Sequence, residues 1–210
     1  MPNTKQRPAD RYASTAPATI TTAISEFGQE LGGTPVIIPH HPQPFASFLM
    51  CKDNCELAWR IGLGTPAFGW SIWQTMNFWL AAEFHCVLRC EGDEYVDITP
   101  FPLDLPSSGH VCFVPTGEEL CEDNLDSIDA WLRSKTSKDL GRTKLLNHHP
   151  LVRRACELCD LGSLAMHANG DAHKYQRCVM TAERLLDLYV ASTNRRSRRK
   201  SLVKIRKRRR

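Results

Sequence analysis

Apolar residues recur along this chain with two different periods, and the changes of period mark out its elements. From Ile20 to Leu31 the apolar positions are Ile20, Ala23, Ile24, Phe27 and Leu31. That spacing predicts an amphipathic helix, with Thr21 or Thr22 as its cap and Gly32-Gly33 as its stop. Pro35-Val36-Ile37-Ile38-Pro39 is a short apolar run between prolines, which suits an edge strand. His40-His41-Pro42-Gln43-Pro44 then reads as a stiff loop, because proline restricts the residue before it. Helical spacing returns from Cys51 to about Leu63 through Cys55, Leu57, Ala58, Trp59 and Ile61, and Gly62 and Gly64 end it. Phe68 to Trp73 alternates large apolar with small or polar residues, a strand signal. Trp79 to Arg89 puts Phe84, Cys86 and Leu88 on one face and His85, Val87 and Arg89 on the other. Gly92-Asp93 turns that segment into a second strand, Tyr95 to Thr99, so the pair reads as a hairpin. His110 to Pro115 is the last strong strand.

Beyond Pro115 the period becomes helical. Asp126 to Lys135 is a short helix with an acidic start and a basic end. Lys138 to Asn147 reads as a basic connector. Pro150 to about His167 and Ala172 to about Ser192 form two helices across the turn Asn169-Gly170-Asp171, the second with Cys178, Ala182, Leu185, Leu186 and Tyr189 along one stripe. Helix, then antiparallel strands, then helices is an α+β order. The expected divisions are an unstructured segment over 1–17, an α+β core over 18–117, a helical region over 118–193 and a disordered basic tail over 194–210.

Charge alters this picture at one end only. Arg195, Arg196, Arg198, Arg199, Lys200, Lys204, Arg206, Lys207, Arg208, Arg209 and Arg210 make eleven cations with no acid among them. Removing them from the net charge of +4 leaves residues 1–194 at −7. Such a block repels itself and, taken in isolation, is expected to be disordered. It suits sequence-blind, salt-sensitive contact with nucleic acid or with an acidic partner, and no aromatic residue interleaves it to stack on bases. The chain has no apolar run of membrane-spanning length and no apolar stretch at its N-terminus of the kind a secretory signal needs. Nine cysteines, an odd number at irregular spacing, read as reduced thiols rather than a disulfide framework. A cytoplasmic setting follows, or a nuclear one if the host cell has a nucleus.

Candidate chemistry gathers between Cys51 and Pro100, a stretch that holds four of the five tryptophans and four of the nine cysteines. Cys51 opens a helix, where the positive end of the macrodipole lowers a thiol pKa. Cys55 lies one turn on, so either thiol is the nucleophile while the other packs, or both are simply buried. His85 and Asp97 sit on consecutive strands, where a carboxylate can fix an imidazole's tautomer. The alternative is a structural histidine bonded to an aspartate. Cys156 and Cys159 have a zinc-knuckle spacing, but they fall within a predicted helix and no second such pair follows, so they are weak metal candidates. There is no phosphate loop and no dinucleotide fingerprint, and no cofactor is expected.

The order Cys at a helix start, His in a strand, Asp in the next strand resembles the papain-like and transglutaminase-like cysteine enzymes. FHCVLRCEGDEYVDITP is similar to the transglutaminase-like arrangement in which a His strand, a Gly turn and a strand ending Val-Asp-x-Thr follow one another. Cys51-x-x-Asn54, Gly69-Trp70-x-Ile72-Trp73, Glu83-Phe84-His85-x-Val87 and Asp97-Ile98-Thr99-Pro100 together resemble a group of uncharacterised bacterial proteins, some of which carry a Cys-rich SEC-C metal-binding motif that this chain lacks. The resemblance spans roughly residues 45–115. It implies a papain-like core with Cys51 as nucleophile, His85 as base and Asp97 as orienter, and it suggests Gln43 or Asn54 as oxyanion donors. The function it implies is hydrolysis or transfer of an acyl group on an unidentified substrate. A non-catalytic binding module acting through the basic tail is the competing expectation.

Overall fold

A computed structural model describes residues 12, 14–101, 108–119, 127–128, 130, 134 and 140–208. The chain divides into two compact units, one over Ser14–Leu146 and one that contains Asn147–Arg210. The first is a mixed α+β unit built on an antiparallel sheet. Its elements are α1 (Thr22–Glu30), β1 (Val36–Pro39), α2 (Cys51–Arg60), β2 (Thr65–Thr75), β3 (Trp79–Arg89), β4 (Tyr95–Val96), β5 (His110–Glu119) and β6 (Gly141–Leu145). The sheet order is β1-β5-β2-β3-β4, and β6 pairs with β3 as well.

Local chemistry accounts for each of these elements. The Thr21 hydroxyl accepts from the Ile24 N–H and caps α1, while Ile24 and Phe27 turn into a core with Trp70, Ile72, Leu80 and Val114. Strand β1 lies at the sheet edge against β5, as its flanking prolines require. In α2 the buried positions Asn54, Cys55 and Ala58 share one face, and the opposite side carries a charge ladder in which Glu56 holds both Lys52 and Arg60. Cys55 and Ala58 pack with Phe68, Cys86, Leu88 and Ile98, which seats the helix on the sheet. Strands β2 and β3 pair along their whole length, and Gly69 stands directly opposite His85.

Several expectations change. The segment 14–17 is not loose: Thr15 exchanges two backbone hydrogen bonds with Gln74, and the Ser14 and Thr75 hydroxyls meet at 2.7 Å. Residues 1–11 and 13 lie outside the described residues, as does most of the expected helix over Asp126–Lys135. The basic connector holds a strand, β6, so the α+β unit reaches Leu146 rather than ending near residue 117. Its cations find specific partners, Lys144 on Glu26 and Glu30 and Arg142 over the Trp70 ring, which is what a purely compositional reading of the segment misses.

The second unit carries α3 (Pro150–Asn169) and α4 (Ala172–Arg208), joined at Gly170 with φ of 62°. Asp171 caps α4 through the Lys174 N–H. Gly162 lets the helices approach, since a Cβ there would lie 3.0 Å from that of Cys178. The expected disordered tail is instead the end of α4, helical as far as Arg208. Nucleation is the expensive step in helix formation, and here it is supplied upstream. From Asp171 onward there is no Gly or Pro to stop propagation, and Arg, Lys and Leu are good helix formers. Like charges four apart oppose the helix by only a few tenths of a kcal/mol per pair. Among the described residues no helix is long and apolar enough to cross a membrane.

Gly69 offers a direct test of the sheet's packing. A Cβ there would run into the Val114 carbonyl and the Phe113 ring, neither of which can swing away. Gly69→Ala is expected to destabilise the protein by about 3 kcal/mol, read as a lowered urea midpoint. An unchanged midpoint would mean that this close approach is absent.

Candidate active site

The outer edge of β3 is interrupted. Strand β6 pairs with it as far as Glu83, the Phe84 N–H reaches the Leu140 carbonyl, and β4 begins only opposite Leu88. Between them, among the described residues, no strand faces residues 85–87. Alternation along the ladder points the Cys86 N–H and C=O outward, as it does those of Phe84 and Leu88. Both groups are met by thiols of α2. Cys51 receives the Cys86 N–H, and Cys55 donates to the Cys86 carbonyl at 3.4 Å. Two cysteines one helical turn apart therefore take the place of a missing strand.

This docking brings the first residue of α2 to His85. The Cys51 sulfur shares a hydrogen bond with the His85 ring, and Cys51 remains partly exposed. His85 Nε2 lies 3.0 Å from Asp97 Oδ2, which leaves Nδ1 for the sulfur. Burial pushes the Cys51 thiol up, but the charge of His85, its hydrogen bond and the Cys86 N–H together outweigh that and hold it below its ordinary 9.0. Burial likewise opposes charge on His85, yet Asp97 and Cys51 raise it well above 6.5. Each partner stabilises the charged form of the other, so the arrangement favours a thiolate beside an imidazolium.

Asp97 is aimed by its own neighbours. The ladder Leu88↔Val96 and Arg89↔Tyr95, if continued, would set Asp97 opposite Val87 rather than His85. The chain leaves the ladder instead. The Asp97 N–H bonds to the Pro39 carbonyl, and the buried carboxylate reaches diagonally to His85. Oδ1 accepts the Thr99 N–H at 2.9 Å, which fixes the carboxylate from its other side. His40, not singled out by the sequence, is buried here with Nε2 2.8 Å from the Thr99 carbonyl and its ring stacked on Phe101. Its only sequence signal is a place in a proline-bounded loop.

The two expected oxyanion donors separate. Asn54 is buried and fully engaged: Oδ1 accepts from the Ser47 N–H, while Nδ2 donates to the Ser47 carbonyl and the Thr99 hydroxyl. That corrects its expected role, since no N–H of this amide remains for a substrate. Asn54 braces the loop before α2 against the segment after Asp97. Gln43 keeps capacity. Its backbone N–H is tied to the Ile98 carbonyl, and its side chain makes one long bond, 3.4 Å, to the His41 carbonyl.

Other candidates lie elsewhere. Cys156 and Cys159 lie on α3 with both thiols pushed up to about 12 by burial and by neighbouring charge. Among the described residues no group of three His, Cys, Asp or Glu could hold a metal ion. The helix α4 carries Arg195, Arg196, Arg198, Arg199, Lys200, Lys204, Arg206, Lys207 and Arg208, whereas Arg209 and Arg210 lie outside the described residues. No family model, curated protein or solved structure matches the chain.

Asp97 supports His85, and His85 supports the Cys51 thiolate, so the effect of removing Asp97 has a definite sign. Asp97→Asn lowers the His85 pKa, the imidazolium is lost at lower pH, and the Cys51 pKa rises toward its ordinary value. The direct repulsion of Asp97 on Cys51 acts the other way but is the weakest of the influences. The rate of Cys51 alkylation by iodoacetamide should therefore titrate at higher pH in the variant than in the wild type. Coincident profiles would uncouple the three residues.

Proposed function

We propose that this protein is a thiol-dependent enzyme acting on an acyl bond, by hydrolysis or transfer, with a core of papain-like or transglutaminase-like type. One observation carries the reading: the partly exposed first residue of a helix is a cysteine hydrogen-bonded to a histidine whose other nitrogen meets a buried carboxylate at 3.0 Å. A nucleophile, a base and an orienting group in series are what acyl transfer to sulfur requires. Cys51 attacks the carbonyl carbon, a C–S bond forms, and the carbonyl oxygen takes up the negative charge. The Cys51 N–H, at the first helical position, has no intrahelical acceptor and is suited to hold that oxygen. Gln43 is the side chain nominated to assist it. Collapse expels the leaving group, which takes the proton from His85. Water, or an acceptor nucleophile, then gives a proton to His85 and attacks the thioester, releasing the acyl group and restoring the thiolate. Asp97 keeps the ring aligned through both halves.

An activated acyl ester tests this without knowledge of the natural substrate. With p-nitrophenyl acetate, nitrophenol release should be accompanied by acetylation at Cys51, located by peptide mass spectrometry. Cys51→Ala should abolish the acetylation, and His85→Ala should slow it by about 10²–10⁴-fold, the usual contribution of a general acid–base group. Acetylation spread evenly over the other thiols would sink the proposal.

A second reading attaches to α4. Helical continuity through Arg208 turns the basic stretch into about 21 Å of cationic rod at the end of a thirty-seven-residue helix, which suits nucleic acid or another polyanion. If six to ten phosphates are neutralised, affinity for duplex DNA or RNA should fall by about 10³–10⁵ between 50 and 200 mM salt. A chain truncated before Arg195 should lose this binding. Binding indifferent to salt, or surviving the truncation, would count against the helix.

A further inference from the structure

Three thiols converge on one backbone position beside the reactive cysteine. Cys51 and Cys55 take the N–H and C=O of Cys86, and the Cys86 side chain lies in the same cluster, in contact with Cys55. Of the three only Cys51 is partly exposed; Cys55 and Cys86 are buried. Cys55 follows Cys51 by one turn of the same helix, so their Cα atoms stand about 6 Å apart, inside the 4.4–6.8 Å span of a disulfide, while their Cβ atoms, about 5–6 Å apart, must close to about 4 Å, which requires the first turn to open. Catalysis as described has no use for Cys55. Its hydrogen bond to the Cys86 carbonyl holds the Cys55 sulfur against the same residue that Cys51 meets.

We propose that Cys55 is a resolving thiol, and that hydroperoxides convert the Cys51–Cys55 pair to a disulfide that closes the site reversibly. This rests on the reading of Cys51 as an activated thiolate. In the first step the Cys51 thiolate attacks one oxygen of the hydroperoxide. The O–O bond breaks, Cys51 becomes a sulfenic acid, and the other oxygen leaves as an alcohol, or as water, with a proton supplied through His85. Cys51 is oxidised by two electrons and the hydroperoxide is reduced by two. In the second step the Cys55 sulfur attacks the Cys51 sulfur, an S–S bond forms, and the S–O bond breaks. Hydroxide departs as water with the proton that Cys55 gives up. An external dithiol returns two electrons and restores both thiols.

The geometry favours Cys55 over Cys86 for this step. Cys55 and Cys51 project from one helix face toward one backbone unit, whereas the Cys86 side chain belongs to the strand that they flank. Burial and its contact with Cys55 push the Cys86 thiol well above its usual range, which keeps it protonated and a poor attacking group. The Met50 side chain makes no capping bond, so opening the first turn breaks one backbone hydrogen bond, Asn54 N–H to the Met50 carbonyl, and no cap. Oxidation would also remove the contacts of both sulfurs with Cys86 and loosen the helix from the strand.

Peptide mapping of the whole protein tests the idea. Reduced protein is treated with tert-butyl hydroperoxide, alkylated and cut with trypsin, which cleaves after Lys52 and so places Cys51 and Cys55 in different peptides. The expected product is a dithiothreitol-sensitive link between them, with iodoacetamide labelling of Cys51 lost on oxidation and regained on reduction. In Cys55→Ala, Cys51 should pass on to sulfinic acid, and dithiothreitol should not restore its labelling. Cys55→Ser serves if the alanine variant does not fold. A Cys51–Cys86 link, an irreversible sulfinic acid in the wild type, or full recovery in the Cys55 variant would each overturn the proposal. The labelling rate before oxidation separates the two ideas. Fast labelling of Cys51 without the link refutes the resolving thiol alone, and labelling no faster than that of buried Cys112 refutes the activated nucleophile itself.

Discussion

The break in the outer edge of β3 is the constraint on which the site depends. A strand edge with open N–H and C=O groups seeks a partner, and here that partner is a pair of sulfurs rather than another strand. Sulfur makes weaker hydrogen bonds than backbone oxygen. The compensation is apolar: Cys55 and Ala58 bury themselves against Phe68, Cys86, Leu88 and Ile98 as they dock. The same insertion that completes the sheet delivers the helix start to His85. Structure and chemistry share one contact, so neither can be altered without the other.

A second set of restraints fixes what stands around that contact. Thr99 donates its N–H to Asp97, its carbonyl meets His40 and its hydroxyl accepts from Asn54. One buried residue thereby links the orienting carboxylate, the loop that carries Gln43 and the turn that precedes Cys51. Buried polar groups tied together in this way give a unique arrangement, because breaking any one of them leaves another without a partner in a low-dielectric setting. That a carboxylate, an imidazole and a thiol hold their relative positions with a two-residue β4 beside them is the work of this network.

The fold was legible where period and punctuation agree. The α1 cap at Thr21, the edge placement of β1, the stop of α2 near Gly62 and the β3–β4 hairpin all follow from local residue choices. It was not legible where partners come from far along the chain. Strand β6 reads as a polar connector because its five residues draw their stability from β3, Glu26, Glu30 and Trp70, none of them near in sequence. The site divides the same way. Cys51, His85 and Asp97 were visible as residue types in a suggestive order. The role of Asn54 was not, since an asparagine that faces a substrate and one that clips a loop have the same letter and spacing. His40 signalled nothing beyond its proline-bounded loop, because its partners are a backbone carbonyl and a distant ring.

The continuity of α4 has a consequence of another kind. Nine cations over fourteen residues, Arg195 to Arg208, span about 21 Å of helix axis, one charge for every 2.3 Å or so, against about 1.7 Å for duplex DNA. At that linear charge density the rod is itself a polyelectrolyte, wrapped in condensed small anions as DNA is wrapped in cations. Its electrostatic self-energy then belongs to the solution as much as to the sequence. Salt screens the repulsion among these charges, so the cost of keeping this end helical depends on the ionic company the protein keeps.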